Sequence, residues 1–201
     1  MRKIFFFLII LTLSVDTLYS QKGKFPEGAV INLKGGYHFK DDKSAGIEMV
    51  SGNSIPGGFC FELSGEIPLG KGWYIGLCFD YLVGNEFVSE YYSGEKVNRD
   101  IKIINYSLPV SKRFTSEKTA LLLQAGFGKT TIYERYSYYS GEPDGAISLK
   151  FAIGLDHSIA PQTLLSIKGE YLGFAQIDFG GGGRANDIFM LKAGICYVVN
   201  W

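Results

Sequence analysis

The stretch that decides the fold runs from residue 147 to residue 156 and reads ISLKFAIGLD. Its odd-numbered positions are Ile, Leu, Phe, Ile and Leu, whereas its even-numbered positions are Ser, Lys, Ala, Gly and Asp. Alternation with a period of two places successive side chains on opposite faces of a β-strand. The stretch therefore predicts a strand with one continuous apolar face and an opposite face that carries a lysine and an aspartate.

The same alternation recurs between turn residues along the chain and predicts eight strands, with no helical pattern. These strands span residues 28–39, 57–67, 73–83, 100–114, 119–133, 145–157, 164–177 and 187–199. The connections alternate in length: 68–72, 115–118 and 158–163 are short, whereas 40–56, 84–99, 134–144 and 178–186 are longer and polar. Short turns on one side and long loops on the other are typical of an outer-membrane barrel.

Sorting each strand by parity gives two faces of opposite character. The apolar face carries charges only near strand ends, at Lys102, Lys112 and Lys129. The other face holds four lysines and five carboxylates, predicted to form a charge network inside the barrel: Lys34, Glu62, Glu66, Asp80, Lys150, Asp156, Lys168, Glu170 and Lys192.

A water-soluble β-sandwich has its polar faces outside, so this pattern favours an all-β, eight-stranded, antiparallel up-and-down transmembrane β-barrel. A secreted soluble β-protein that buries its apolar face against other protein is the alternative. Aromatic residues at the strand ends support the membrane interpretation, because amphipathic rings prefer the level of the lipid headgroups. We expect one girdle near the short turns (Trp73, Phe114 and Trp201) and one near the long loops (Tyr37, Phe39, Phe59, Tyr81 and Tyr133).

The first twenty residues have the pattern of a secretory signal peptide. Two basic residues, Arg2 and Lys3, precede an apolar run over residues 4–11, which is too short for a spanning helix of ~20 residues. We expect cleavage after Ser20, which divides the chain into a signal peptide (1–20) and a barrel domain (21–201).

The composition narrows the function classes. Among 201 residues, 20 basic side chains balance 20 acidic ones, which disfavours a nucleic-acid partner. Two histidines and three cysteines are too few to predict a zinc cluster, and no cofactor is expected.

Cys60 and Cys78 both face the interior of the predicted hairpin. Residues that face each other across an antiparallel hairpin have numbers with a constant sum, and the sum of 138 for this pair places the two cysteines close together. Either a disulfide or, by our preference, two separate thiols is consistent with this placement.

The C-terminal segment, residues 189–201, reads FMLKAGICYVVNW and alternates up to a final aromatic residue. With the signal peptide, strand count and loop asymmetry, it resembles the bacterial outer-membrane β-barrel family of small OmpX-like and OmpA-like proteins. The resemblance implies an outer-membrane location with periplasmic termini and extracellular loops. It also implies contact with outer-membrane lipid and recognition of the last strand by the barrel-assembly machinery. PorT-like secretion accessories have the same general features, and no residue in this sequence distinguishes them from other members of the family.

We expect a non-enzymatic envelope protein with a plugged lumen, since an eight-stranded barrel has room only for side chains. Its contacts would come from the loops, where YYSGE occurs at both 91–95 and 138–142. Tyr91, Tyr92, Tyr138 and Tyr139 are therefore candidates for binding a surface or envelope protein. The alternatives are a narrow porin-like channel or transport accessory, and a lipid-modifying enzyme that uses His38 with Asp41, Asp42 or Ser44.

Overall fold

A computed structural model describes residues 26, 28–39, 55–89, 96–136, 144–176 and 184–199 of the chain. The predicted signal peptide lies outside these residues. The described residues form no helix that is long and apolar enough to span a membrane.

Eight strands form one closed sheet in which each strand pairs antiparallel with the next and the last pairs with the first. The prediction of an eight-stranded up-and-down barrel is therefore confirmed. The strands are β1 (Ala29–His38), β2 (Gly58–Gly70), β3 (Trp73–Ser89), β4 (Lys96–Ser116), β5 (Thr119–Tyr136), β6 (Asp144–Ala160), β7 (Thr163–Gln176) and β8 (Arg184–Val199).

The two ends of the barrel differ in their connections. At one end, here called the turn end, tight turns at residues 71–72, 117–118 and 161–162 join β2 to β3, β4 to β5 and β6 to β7. The opposite end, here called the loop end, carries the other connections between consecutive strands. Both β1 and β8 have their outer termini at the turn end, because the strand count is even.

Two glycines let the first and last strands approach closely enough to close the barrel. A Cβ atom added at Gly36 of β1 would collide with the backbone carbonyl of Leu191. A Cβ atom added at Gly194 of β8 would collide in the same way with the carbonyl of Leu33. Only glycine fits so close an approach, so the seam between β1 and β8 depends on both.

At the loop end, β3 and β4 extend six and four residues farther than the sequence pattern predicts, whereas β1, β2 and β7 each end one residue short of the prediction. The prediction ended β3 at residue 83 and began β4 at residue 100, whereas the β3–β4 ladder continues through Glu86–Arg99 to Ser89–Lys96. The sequence pattern did not predict these extensions, because hydrophobic residues alternate along a strand only where one of its faces meets an apolar environment. A hairpin that continues into water keeps its backbone hydrogen bonds and loses the alternation.

The two faces of the sheet are inverted relative to a soluble protein. Outward side chains are apolar and exposed, with Phe59 at 73% and Leu77 at 68% exposure. Inward lysines such as Lys150, Lys168 and Lys192 are 0–1% exposed. A surface of this composition is the one expected for a barrel whose outside faces lipid.

Candidate functional site

Three carboxylates on different strands meet one lysine at the centre of the lumen. The Nζ atom of Lys192 lies 3.0 Å from a carboxylate oxygen of Glu62, 2.6 Å from one of Asp80 and 2.8 Å from one of Glu170. All four side chains are at most 1% exposed. The closed sheet brings them together from β2, β3, β7 and β8, across sequence separations of up to 130 residues.

Three further lysines surround these central carboxylates. Lys150 lies 2.6 Å from Asp80, and Lys168 lies 2.7 Å from two of the three carboxylates. Lys34 lies 3.7 Å from Glu62, the nearest of them. We call these seven side chains the central cluster. Such close pairing offsets the large cost of removing charges from water.

A second group of charges lies nearer the turn end and includes a residue that the sequence analysis missed. Arg113 donates to Glu66 at 2.6 Å and to Asp156 at 3.0 Å, and its guanidinium lies 4.4 Å from the ring centroid of Tyr74. Odd-numbered residues of β4, such as the buried Asn105, face inward. Arg113 is also odd-numbered, so the alternation of this strand could have identified it as an inward residue. We call Arg113, Glu66 and Asp156 the turn-side cluster.

The amide of Gln124 joins the two clusters. Its nitrogen donates to Glu66 at 3.2 Å, and its oxygen accepts from Lys168 at 3.2 Å. The central cluster holds four lysines and three carboxylates, a sum of +1, and the turn-side cluster holds one arginine and two carboxylates, a sum of −1. The two clusters together are therefore neutral, which favours a stable dry interior.

Two groups of buried apolar side chains also fill the lumen, here called layers. The turn-end layer consists of Val30, Tyr74, Ala120, Leu164, Cys196 and Val198. The loop-end layer consists of Ile55, Cys60, Leu82, Ile101, Ile103, Ala146, Leu172, Phe174, Ile188 and Met190. Side chains thus fill the described lumen. Apolar groups cover the central cluster toward the loop end, whereas at the turn end they lie beside the turn-side cluster, with Val30 paired with Glu66 and Ala120 paired with Asp156.

The interior cysteines are separate thiols. The β2–β3 register pairs Cys60 with Leu82 and Cys78 with Ser64, so the expectation of close approach across the hairpin is wrong. The paired residue numbers sum to 142 and not to 138, because the β2–β3 turn is centred near residue 71 and not near residue 69. The two cysteines stand four positions apart along the strands, ~13 Å, and both are free.

Two carboxylates of the central cluster, Glu62 and Asp80, form a group of three possible metal ligands with Cys78. Their ligand atoms lie within 4.8 Å of one another. Lysine ammonium groups already occupy their donor space. Lys150 lies 3.0 Å from the sulfur of Cys78 and 2.6 Å from Asp80. A cation would have to displace these lysines, so the donor set fits protein ammonium groups and not a metal.

His38, the residue considered for lipid modification, faces the interior and not the lipid. It is 1% exposed, and its Nε2 atom lies 3.0 Å from the carbonyl oxygen of Val83. Asp41, Asp42 and Ser44 lie outside the described residues. The inward orientation removes His38 from contact with a lipid substrate on the outer surface.

The predicted girdle aromatics occupy the outer surface at two levels. Trp73 and Phe114 lie at the turn end, on either side of Lys112. At the loop end, Tyr37 contacts Phe39 and Phe59 with ring centroids 5.5 and 6.1 Å apart. Tyr81 is half-buried and Tyr133 is exposed on the same face, whereas Trp201 lies outside the described residues.

Part of the sheet projects beyond the rest of the barrel at the loop end. Pairing of β2 with β3 stops at Gly84, but β3 continues for five residues, ~17 Å, still paired with β4. Among the described residues, no strand pairs with the other edge of residues 85–89. Phe87 on this segment is 76% exposed. We call residues 85–89 and 96–100 the protruding hairpin.

An arginine ties the protruding hairpin to β5. Arg99 bonds to Glu86 of β3 at 2.9 Å and to Glu134 of β5 at 2.7 Å, and its side chain is 3% exposed. A bridge across three strands stiffens the projecting sheet. Tyr91, Tyr92, Tyr138 and Tyr139 of the repeated pentapeptide lie outside the described residues.

Several solved structures share this fold at low sequence identity. Neisserial surface protein A superposes with a TM-score of 0.66 at 12% identity, covering 86% of this chain and 98% of that one. The N-terminal barrel domain of Pseudomonas aeruginosa OprF matches with a TM-score of 0.53 at 12% identity, covering 85% and 97%. A major outer membrane protein of Thermus thermophilus matches with a TM-score of 0.52 at 10% identity, covering 85% and 99%. No family model and no curated protein sequence matches the chain.

Proposed function

We propose that this chain is an integral protein of a bacterial outer membrane that works without enzymatic chemistry, through contacts made at its loop end. The observation that carries the proposal is the contrast between a lumen filled with paired charges and apolar layers and a hairpin that projects past the barrel rim. The fold shared with outer-membrane proteins supports the location.

The orientation follows from the same proposal. Both termini and the tight turns face the periplasm, and the protruding hairpin lies outside the cell. The barrel-assembly machinery would recognise β8, whose outward residues Phe189, Leu191, Ile195 and Tyr197 are apolar and exposed.

The protruding hairpin offers two features that suit a protein partner. Within the described part of the chain, its β3 edge presents unpaired backbone groups that an extended segment of another chain can pair with. Phe87 adds an exposed aromatic side chain of the kind that anchors protein interfaces. The tyrosines of the two YYSGE repeats are further candidates for contact with this partner.

Site-specific photocrosslinking on intact cells tests this function. A photoreactive residue at position 87 should give a crosslinked protein adduct, whereas the same residue at the lipid-facing position 63 should give none. Joining Gly84 to Ile101 through an Asn-Gly turn removes residues 85–100 and with them position 87. This variant should therefore lose binding of the protein identified in the adduct, measured without a crosslinker, and leave the barrel folded.

Two controls keep the outcome clear. Outer-membrane fractionation and a shift in gel mobility on boiling check location and folding of every variant. Adducts from both positions, or none from position 87 in a folded surface-exposed barrel, would contradict the proposed contact surface.

A further inference from the structure

Lys112 is an outward-facing lysine held at the turn end among aromatic rings. Its Nζ atom lies 5.3 Å from the ring centroid of Trp73 and 5.5 Å from that of Phe114. It also donates to the backbone carbonyl of Lys71 in the adjacent turn. Cation–π attraction and this bond fix the ammonium group at the edge of the apolar surface.

An apolar groove of about 850 Å³, lined by Lys112, crosses the outer face from Trp73 of β3 to Phe189 of β8. Two small residues form its floor. Ala125 lies between Val110 and Phe151 on the neighbouring strands. Gly169 likewise lies beside Ile153, and the ring of Phe189 borders it on the other side. Bulky neighbours beside small residues leave this depression. A second depression of about 880 Å³ lies on the outer face around Gly65, but none of the described lysines lines it.

The ammonium group retains hydrogen-bonding capacity. An ammonium has three donors, and within the described part of the chain Lys112 uses one, on the carbonyl of Lys71. The remaining donors lie where the groove meets the turn end. Lys71 places a second ammonium-bearing side chain in the adjoining turn. The end of the groove is therefore cationic, and its length is apolar.

We propose that this groove binds an anionic diacyl phospholipid, whose phosphate is bound by Lys112 while an acyl chain lies over Ala125 and Gly169. The proposal rests on the membrane location proposed above, which places the turn end in the periplasmic leaflet. Every outward residue meets acyl chains, but Lys112 combines a fixed positive charge with a groove. That combination favours a lipid by the negative charge of its headgroup as well as by the fit of its acyl chain.

Quenching of Trp73 fluorescence by brominated lipids tests this site. In a Trp201→Phe background Trp73 is the sole tryptophan, since the chain has two. In phosphatidylcholine vesicles, brominated phosphatidylglycerol should quench Trp73 with a relative binding constant about five-fold above that of brominated phosphatidylcholine. Lys112→Gln should reduce this ratio to about one.

Lys102→Gln is the matched control, because Lys102 lies on the same outward face of β4 at the loop end. It should leave the preference for phosphatidylglycerol unchanged. Ala125→Phe fills the groove and keeps the charge, so it should also lower the preference.

Each outcome decides the proposal. An unchanged ratio in Lys112→Gln, an equal loss in Lys102→Gln, or no effect of Ala125→Phe would overturn a built lipid site. Boiling-dependent gel mobility of the reconstituted protein separates this failure from failure of the membrane assignment. A chain that does not insert as a barrel would refute both, whereas an inserted barrel without selectivity would refute this inference alone.

Discussion

Lys192 is the residue whose loss would unbalance the interior most, because its ammonium group contacts three buried carboxylates. Lys192→Met would leave the two clusters with a net negative charge in a dry lumen. We expect a loss of about 3–5 kcal/mol in the free energy of unfolding, which is typical when one partner of a buried pair is removed. Urea unfolding in vesicles, followed by the gel-mobility shift, measures this loss.

Glu62→Gln provides the matching test, because it removes one of the three carboxylates. In combination with Lys192→Met it restores neutrality, so the double variant should be more stable than Lys192→Met alone. Lys102→Met, an outward lysine at a strand end, should change stability little. Equal effects of the two lysine substitutions would show that interior charge balance does not determine stability.

At the scale of a strand, β4 contains a local weakness at Pro109. Its ladder with β3 omits Gly76 and Leu77, which face Pro109 and Leu108, whereas its ladder with β5 is continuous. Proline has no N–H group to donate, which explains a break inside an interior strand. We expect Pro109→Val to slow hydrogen exchange over residues 75–78 and to add about 1 kcal/mol to stability.

Pro68→Val is the control for this prediction. Pro68 lies at a register shift beside the β2–β3 turn, where no regular ladder could be restored. Hydrogen–deuterium exchange of both variants should therefore differ only around β3 and β4. If exchange over residues 75–78 stayed unchanged in Pro109→Val, proline would not be the cause of the gap.

For the whole molecule, the layered lumen predicts that the barrel does not conduct. An ion would have to pass the loop-end layer, the central cluster and the packed side chains of the turn-side cluster and turn-end layer. We expect no unitary current steps from the folded protein in planar bilayers. Reproducible steps that increase with salt concentration would favour the channel alternative and contradict the closed interior.

Most of the barrel could be predicted from the chain, because period-2 alternation is a local property. The turn-end limits of β3 and β5, at residues 73 and 119, agree with the structure. The loop-end limits were wrong where strands leave the apolar environment that produces the alternation. Arg99 was missed because it precedes residue 100, where the predicted strand began, whereas Arg113 lay inside the predicted strand and its inward parity was overlooked.

The sequence by itself determined which side chains face inward and which face outward, since neighbouring residues in a strand must point to opposite sides. Only the tertiary structure decided which inward residues meet. The contacts of Lys192 with Glu62, Asp80 and Glu170 depend on the register of all eight strands and on closure between β1 and β8. Register is a relation between distant segments, as the separation of Cys60 from Cys78 shows, and no local pattern contains it.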